Sequence, residues 1–490
     1  MRKTVKILTL LLAWLPSLYL PAWAEMSTSG AAGTPARAPI SLSIAEAVVN
    51  SLANNRSLEV QRVDPEIVRT GELAAEAPFD TVLEGRLSGS SERNDKLDDS
   101  DSQGLTLSAS RFLATGTTLG IALDASNSDS ADSASTRLGV SLTQALLQGR
   151  GTDVNLAAVR QARVDTAYSL SELRGYTESF VAQVEEACWD YLLADRRVAI
   201  VERSLGIAED QLAEVRERIA VGRLAEIEQA AAEAEVALRR EALINTKSAR
   251  DAQRLKLLRL VNPPGGAPLT RGVTITDTPA LPAADPASVE DHVALALLRR
   301  PELEQARLLI ERGDLELVQT RNGLLPRLDF FIALGATGYA DSFGDSLDPG
   351  DGQDLAAGLT LSVPLGRSAA RAADTRATLT RQRAALSLET LAQLVEVDVR
   401  GAWIEADRLR EQVAATAATR RLQEEKLRAE TEKFRVGKST AYLVAQAQRD
   451  LLQAENDAVS AAAGLLKAYI ECYRLEGSLL ERRGITVSER

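Results

Sequence analysis

Proline is absent from residues 79–262 and again after Pro364, which leaves uninterrupted stretches of 184 and 126 residues in a chain of 490. A proline inside a helix removes a hydrogen bond and clashes with the turn before it. Long proline-free runs of Ala, Leu, Glu, Arg and Gln therefore favour very long helices over compact α/β domains. Length alone would suggest several domains of ordinary size. The composition argues otherwise, because aromatics make up 4% of the chain and a core of that size would carry more. The single histidine argues against histidine-based catalysis or a histidine metal cluster. The expectation is a protein that is not an enzyme and has no cofactor, catalytic residue or metal site.

The compartment is legible at the N-terminus. Arg2, Lys3 and Lys6 precede an apolar run from Ile7 to Leu20, and Ala22-Trp23-Ala24 has the small-x-small form of a cleavage site. Residues 1–24 read as a secretory signal peptide cut before Glu25, and 25–40 as a flexible N-terminus. A membrane anchor fits less well, since the run is short and Pro16 and Pro21 break it. No cysteine follows the cut, so no N-terminal lipid anchor is indicated. No later segment has 18 consecutive apolar residues, so a membrane could be entered only as a closed β-barrel. Removing the three basic residues leaves 54 Lys and Arg against 69 Asp and Glu, a net charge of −15. An acidic chain without basic clusters is a poor nucleic-acid ligand. Cys188 and Cys472 read as small residues within helical stretches, and whether they pair is open at this level.

The chain repeats itself once. Trp189 and Trp403, the tryptophans beyond the signal, lie 214 residues apart, and Arg218-Ile-Ala-Val-Gly222 matches Lys433-Phe-Arg-Val-Gly437 at 215. Each half opens with a helix (41–77 and 288–323), the first of which Pro65 should kink or interrupt. Alternating segments follow, at about 81–145 and 327–364. Leu328, Phe330, Ile332 and Leu334 share one face, opposite Asp329, Phe331, Ala333 and Gly335. Leu359, Leu361 and Val363 oppose Gly358, Thr360 and Ser362. A period of two over nine or ten residues suits a tilted bilayer-crossing strand, which needs about that length. The acidic stretches 91–103 and 340–354 lack the D-x-D-x-D-G spacing of a calcium loop and read as solvated loops. Phe79, Phe112, Phe330, Phe331 and Phe343 fall in or beside the strands, where an aromatic girdle would sit.

Hairpins of long helix complete each half, at 150–260 and 367–476. Val198, Val201, Leu205, Ala208, Leu212, Val215 and Ile219 step alternately by three and four, as do Val444, Ala447, Leu451, Ala454, Ala458, Ala461 and Leu465. That 3.5-residue period marks a left-handed coiled-coil seam. Gly222 and Gly437 stand where the helices must reverse. Gly437-Lys438-Ser439 lacks the upstream glycine of a phosphate loop. The boundaries are thus 41–261 for the first repeat and 288–477 for the second. Between them, 262–287 reads as a Pro- and Gly-rich linker over the outside, and 478–490 reads as a tail.

These residues resemble the TolC-like family of outer-membrane efflux proteins across essentially the whole mature chain. The carrying motifs are Ser43-Ile-Ala-Glu-Ala47 with Asn54-Asn55, Pro301-Glu-Leu303 with Leu325-Pro-Arg-Leu328, Leu361-Ser-Val-Pro-Leu-Gly366, and Phe434-Arg-Val-Gly437 with Ala447-Gln448 and Leu451. The resemblance implies a mostly α fold with membrane β: a homotrimer whose duplicated repeats build an α-helical periplasmic tunnel and one shared transmembrane barrel in outer-membrane lipid. It implies a passive exit duct of a tripartite efflux or type I secretion system, docked to a periplasmic adaptor and through it to an inner-membrane pump. Val221, Gly222, Arg223, Val436, Gly437 and Lys438 match the family's adaptor-docking tips. The family's acidic gate positions, carried over by distance from the glycines, fall on Glu228, Leu443 and Gln446, of which only the first is acidic.

The first half holds about 25 more residues than the second between Ser90 and Ser135. Leu105, Leu107 and Ala109 alternate, Ala114-Thr-Gly116 turns, and Leu119, Ile121 and Leu123 alternate again. Alternation does not distinguish barrel wall from flap, so four and six strands per copy both stand. A periplasmic adaptor and a structural coiled-coil protein of the envelope are the competing classes; neither explains bilayer-length strands at the far ends of duplicated helices. Nothing in the sequence names the cargo.

Overall fold

The computed structural model describes residues 39–94, 97–128, 133–264, 268–278, 288–340, 346 and 352–486. The expected signal peptide, most of the flexible N-terminus, Phe343 and most of the 340–354 loop lie outside these residues.

Two repeats run in the same order. The first opens with β1 (Ile40–Leu42), α1 (Ile44–Asn54) and α2 (Arg56–Glu76), then β2 (Thr81–Asn94), β3 (Leu97–Leu113), β4 (Thr117–Ser128) and β5 (Ser133–Ala145). The short α3 (Thr152–Asn155) leads into α4 (Ala157–Ala220), and α5 (Ile227–Val261) returns. The second has β6 (Val273–Ile275), α6 (Val289–Arg299), α7 (Pro301–Gly323), β7 (Arg327–Ala340), β8 (Gly352–Ser362), α8 (Ser368–Arg435), α9 (Ala441–Glu476) and α10 (Leu479–Arg482).

The opening helix of each half is broken, and at equivalent places. Ser43 and Ser288 both form capping boxes, with Glu46 and Asp291 reaching back to the cap N–H. The breaks fall at Asn55 and Arg300. Asn55 caps α2 by accepting from the Ser57 and Leu58 N–H groups and donates to the Leu260 carbonyl at 2.9 Å. At Arg300 no side chain caps the helix; instead Pro301 takes the first position of α7, where its missing N–H costs nothing. The expected interruption at Pro65 does not occur. Pro65 is buried within a continuous α2, which packs on α4, and this packing holds the helix together across the missing bond.

Each tryptophan packs beside the short helix of its own half. Trp189 lies with Ile44 and Val48, and Trp403 lies with its ring centroid 4.9 Å from that of His292. The first core gathers α1, the middle of α4, the end of α5 and the C-terminus. Leu58, Val181, Val184, Leu257 and Leu479 are almost fully enclosed in it. Two expectations change here. Residues 273–275, within the expected outer linker, pair as β6 in parallel with β1, and Val273 and Ile275 enter the core because they alternate with exposed Thr274. The expected tail begins with α10, whose Leu479 and Leu480 are buried, while Arg483 forms a two-pronged ion pair with buried Glu185 at 2.6 and 2.8 Å. Cys188 and Cys472 are both buried and no disulfide joins them. Burial first, then the nearby Glu185 and Asp277, pushes the Cys188 thiol up to about 12, so it stays protonated.

At 64 and 68 residues, α4 and α8 are each about 100 Å long at the usual rise per residue. The seams read from the sequence are inward: Val198, Val201, Ala208 and Val215 are buried on α4, and Val444, Ala447, Ala454, Ala461 and Leu465 on α9. Towards the strands the helices stand in the row α2–α4–α7–α8, and towards the tips α4 carries α5 and α9 while α9 carries α8. No helix among the described residues is long and apolar enough to cross a membrane.

Candidate functional site

At the strand end, β2-β3-β4-β5-β7-β8 form one antiparallel sheet. The register aligns the alternation of every strand. Leu83 faces Ala109, then Ile121, Val140, Leu334 and Leu355 across successive ladders, and the row beside it holds Gly85, Leu107, Leu123, Leu138 and Ala336. These side chains make one apolar face, and most of the large ones are exposed: Leu83, Ile121, Leu138, Val140, Leu334 and Leu355 among them. The row sequence continues through Leu142, Ile332, Phe330 and Leu359. With the Leu87–Leu105 row at one end and the Leu328–Leu361 row at the other, the face covers ten residues of β7, a height of about 25 Å once the usual strand tilt is allowed for, as a lipid-facing band requires. The opposite face is polar. There Thr106 donates to Asp124 at 2.9 Å, and Arg137 reaches Asp354 at 2.5 Å across Gly335. A Cβ at Gly335 would strike both partners, so glycine is what lets this pair form.

At the opposite end, both hairpins turn by the same device. Gly222 and Gly437 have φ of 71° and 75°. The N–H after each glycine bonds five residues back, Arg223 to Arg218 O and Lys438 to Lys433 O, both at 2.8 Å. This is a Schellman stop with glycine in the left-handed position. The second helix of the pair is capped by Thr440, whose hydroxyl accepts from Leu443 N–H, whereas the first makes no side-chain cap at Glu226.

The tips are tied together beneath their exposed ends. Phe434 is buried with Val215, Ala232, Ala441 and Val444, and Ile219, its counterpart in the first half, packs at the edge of the same cluster. The Arg218 guanidinium lies 4.5 Å from the centre of the Phe434 ring, donates to the Phe434 carbonyl at 3.1 Å and pairs with Glu214 at 2.6 Å. One helical turn further in, Arg449 joins Glu235 at 3.1 Å.

The six tip residues named from the sequence lie together on the exposed ends, with Val221 and Val436 at 67% and 68% exposure. No ion pair among the described residues occupies the cations of Arg223 and Lys438. Of the gate positions, Glu228 is half-buried in the first turn of α5, while Leu443 and Gln446 are exposed on the first turns of α9. Sequence reasoning missed the Arg218–Phe434 clamp, although both residues lie inside the repeated motif. The signal available was an aromatic three residues before a turn glycine, where the other half has Ile219.

In the groove between α4, α8 and α9, Arg203, Arg420, Arg428, Glu424 and Glu455 edge a cavity of about 430 Å³. Among the described residues no group of three His, Cys, Asp or Glu side chains is placed to hold a metal.

Residues 293–478 match the family model described as outer membrane efflux protein. Outer membrane efflux protein BepC of Brucella suis biovar 1 (strain 1330) is 25% identical over 345 residues, covering 68% of this chain and 71% of that protein. Among solved structures, the outer membrane channel CmeC of Campylobacter jejuni superposes with a TM-score of 0.70 over 97% of this chain and 99% of its own, at 13% identity. The open-state MtrE outer membrane channel of Neisseria gonorrhoeae does so with a TM-score of 0.65 over 91% of each, at 19% identity. The long paired hairpins, the strand sheet at their far end and the repeated glycine tips agree with these matches. The fold of the chain is that of these outer membrane channels, and its second half, residues 293–478, is similar to the outer membrane efflux protein family.

Proposed function

We propose that the protein is the outer-membrane exit duct of a tripartite efflux system, a passive conduit and not an enzyme, working with a periplasmic adaptor and an inner-membrane pump. The observation that carries this is the single apolar sheet face of bilayer height, set at one end of paired helices about 100 Å long. A sheet with such a face belongs in lipid, and helices of that length extend far across the periplasm.

Three copies make the duct, each giving one sheet and one set of hairpins. Support comes from the two sides of a copy. One ends in β2 and α2 and the other in β8 and α8, and both show unpartnered apolar side chains: Val60, Val63 and Ile67 on α2, and Leu386, Val397 and Ile404 on α8. A patch on one side meeting a different patch on the other is a head-to-tail interface, which closes into a ring. The exposed Val221-Gly222-Arg223 and Val436-Gly437-Lys438 tips dock the adaptor, their rigid turns presenting two uncommitted cations to an acidic partner surface. Glu228, Leu443 and Gln446 line the entrance just inside. With apolar Leu443 and neutral Gln446 there, closure relies more on packing than on a ring of acids.

The test is extraction and mass. The protein should leave the outer membrane only with detergent, as a particle of three chains. Val436→Asp should abolish export while leaving the particle and its thermal stability unchanged. A detergent-independent soluble monomer would overturn the reading.

A further inference from the structure

The open edges of the sheet say what the finished barrel must be. All neighbouring strands are antiparallel, so β2 and β8, at the two ends of an even set, run in opposite directions. They do not pair with each other. Both are long, at 14 and 11 residues, and both carry exposed apolar side chains on the lipid side: Leu83 and Leu87 on β2, Leu355, Leu359 and Leu361 on β8. In hydrocarbon, every unpaired N–H and C=O along such an edge is costly, so the edges must find partners.

We propose that β8 of one copy pairs with β2 of the next, so that three copies close an eighteen-stranded barrel in which the β3–β4 hairpin is wall and not flap. This rests on the three-copy reading above.

Three observations carry it. First, the hairpin is tied to the body at its inner turn. Asn155 donates to the Ala114 carbonyl at 3.0 Å and to the Gly149 carbonyl at 2.8 Å, and Gly151 N–H bonds Thr115 O at 3.2 Å. Gly116, at φ 86°, sits so close to Gly149 that a Cβ there would lie 2.3 Å from its carbonyl oxygen. A flap would have no such anchor. Second, the apolar rows pass through β3 and β4 without a gap, as Leu107, Ala109, Ile121 and Leu123 continue those of β5 and β7. Third, the two edges share one pattern, apolar on the lipid face and charged on the other, where Glu84 and Arg86 stand on β2 and Asp354 on β8.

Width agrees. Six strands about 4.8 Å apart and tilted about 40° cover roughly 38 Å of circumference, against roughly 25 Å for four. The four helices α2, α4, α7 and α8 beneath them, at about 9 Å spacing, cover roughly 36 Å. Six strands continue the helical wall without a step. Eighteen strands give a backbone diameter of roughly 36 Å, and a bore near 25 Å after side chains.

The experiment is cryo-electron microscopy of the assembly in nanodiscs, paired with single-cysteine labelling at Leu107→Cys and Ile121→Cys against Ser108→Cys and Ala122→Cys. The expected result is eighteen strands, with the first pair shielded from a charged water-soluble maleimide and quenched by brominated lipid, and the second pair showing the reverse. Three copies with twelve wall strands, or Leu107→Cys and Ile121→Cys labelling as fast as the other two, would overturn this inference alone. A copy number other than three would overturn the reading beneath it.

Discussion

Replacing Phe434 by alanine tests whether the tips hold each other shut. Phe434 is 2% exposed, at the centre of a cluster drawn from both hairpins, and its ring faces the Arg218 guanidinium at 4.5 Å. Phe→Ala in a packed core costs about 3–5 kcal/mol. The tip lies at a free end and can relax, so the lower figure applies. The lost cation–π contact, worth about 1–2 kcal/mol with the ring buried and the guanidinium mostly covered, is included in it. The hydrogen bond from Arg218 goes to the Phe434 backbone carbonyl and survives. A local loss of about 3 kcal/mol should speed amide exchange at the tips by about a hundredfold, since each 1.4 kcal/mol is tenfold. Exchange of residues 212–219 and 441–447 should rise by that factor in the assembled protein, while the core around Val184 and Leu258 is unchanged. Phe434→Leu should give a tenth of the effect or less. Unchanged exchange at the tips in Phe434→Ala would refute the clamp.

Other consequences follow from single contacts. Gly222→Ala and Gly437→Ala should each cost about 1 kcal/mol in thermal unfolding, from the positive φ alone, because no atom lies within 4 Å of either added Cβ. Arg483→Ala strips Glu185, 2% exposed, of its two-pronged partner and should cost about 3 kcal/mol or more in chemical denaturation, with Glu185→Gln in the same chain recovering part of it. Burial raises Glu178 from 4.5 to about 7 against the opposing pull of Arg174, Arg474 and Arg300, while nearby Glu302 adds to the rise. A raised acid pKa means the fold prefers the neutral form. Its cost is therefore absent below pH 4.5, grows as pH rises towards 7 and is constant above; Glu178→Gln should stabilise the protein at pH 8 by about 3 kcal/mol and not at pH 4. A pH-independent effect would show that another group governs the titration.

Long helices, turn glycines and strand alternation were legible because each is local. A 3-4 step places Val215 and Val444 on a seam whatever else the chain does, and a left-handed stop needs Gly222 and Gly437. Pro65 shows the limit of local rules: its penalty is real, but packing of α2 on α4 outweighs it, while the break falls at Asn55, whose side chain bonds Leu260 more than 200 residues away. The status of β3 and β4 was hidden for the same reason. Alternation is identical in wall and flap, and the proposal that they are wall draws on a contact no local pattern encodes, Asn155 reaching the Ala114 carbonyl. Residues 273–275 looked like part of a linker because Pro and Gly surround them, yet two alternating branched side chains suffice for a core strand. A gate is a distance between copies, so no pattern within one chain encodes it at Glu228, Leu443 and Gln446.

Conductance tests the duct most directly. Detergent-purified protein added to a planar lipid bilayer should insert as discrete units with one small closed-state step, and Phe434→Ala should enlarge that step by loosening the tips. Protein that never inserts, or inserts without passing current in either form, would contradict an exit duct.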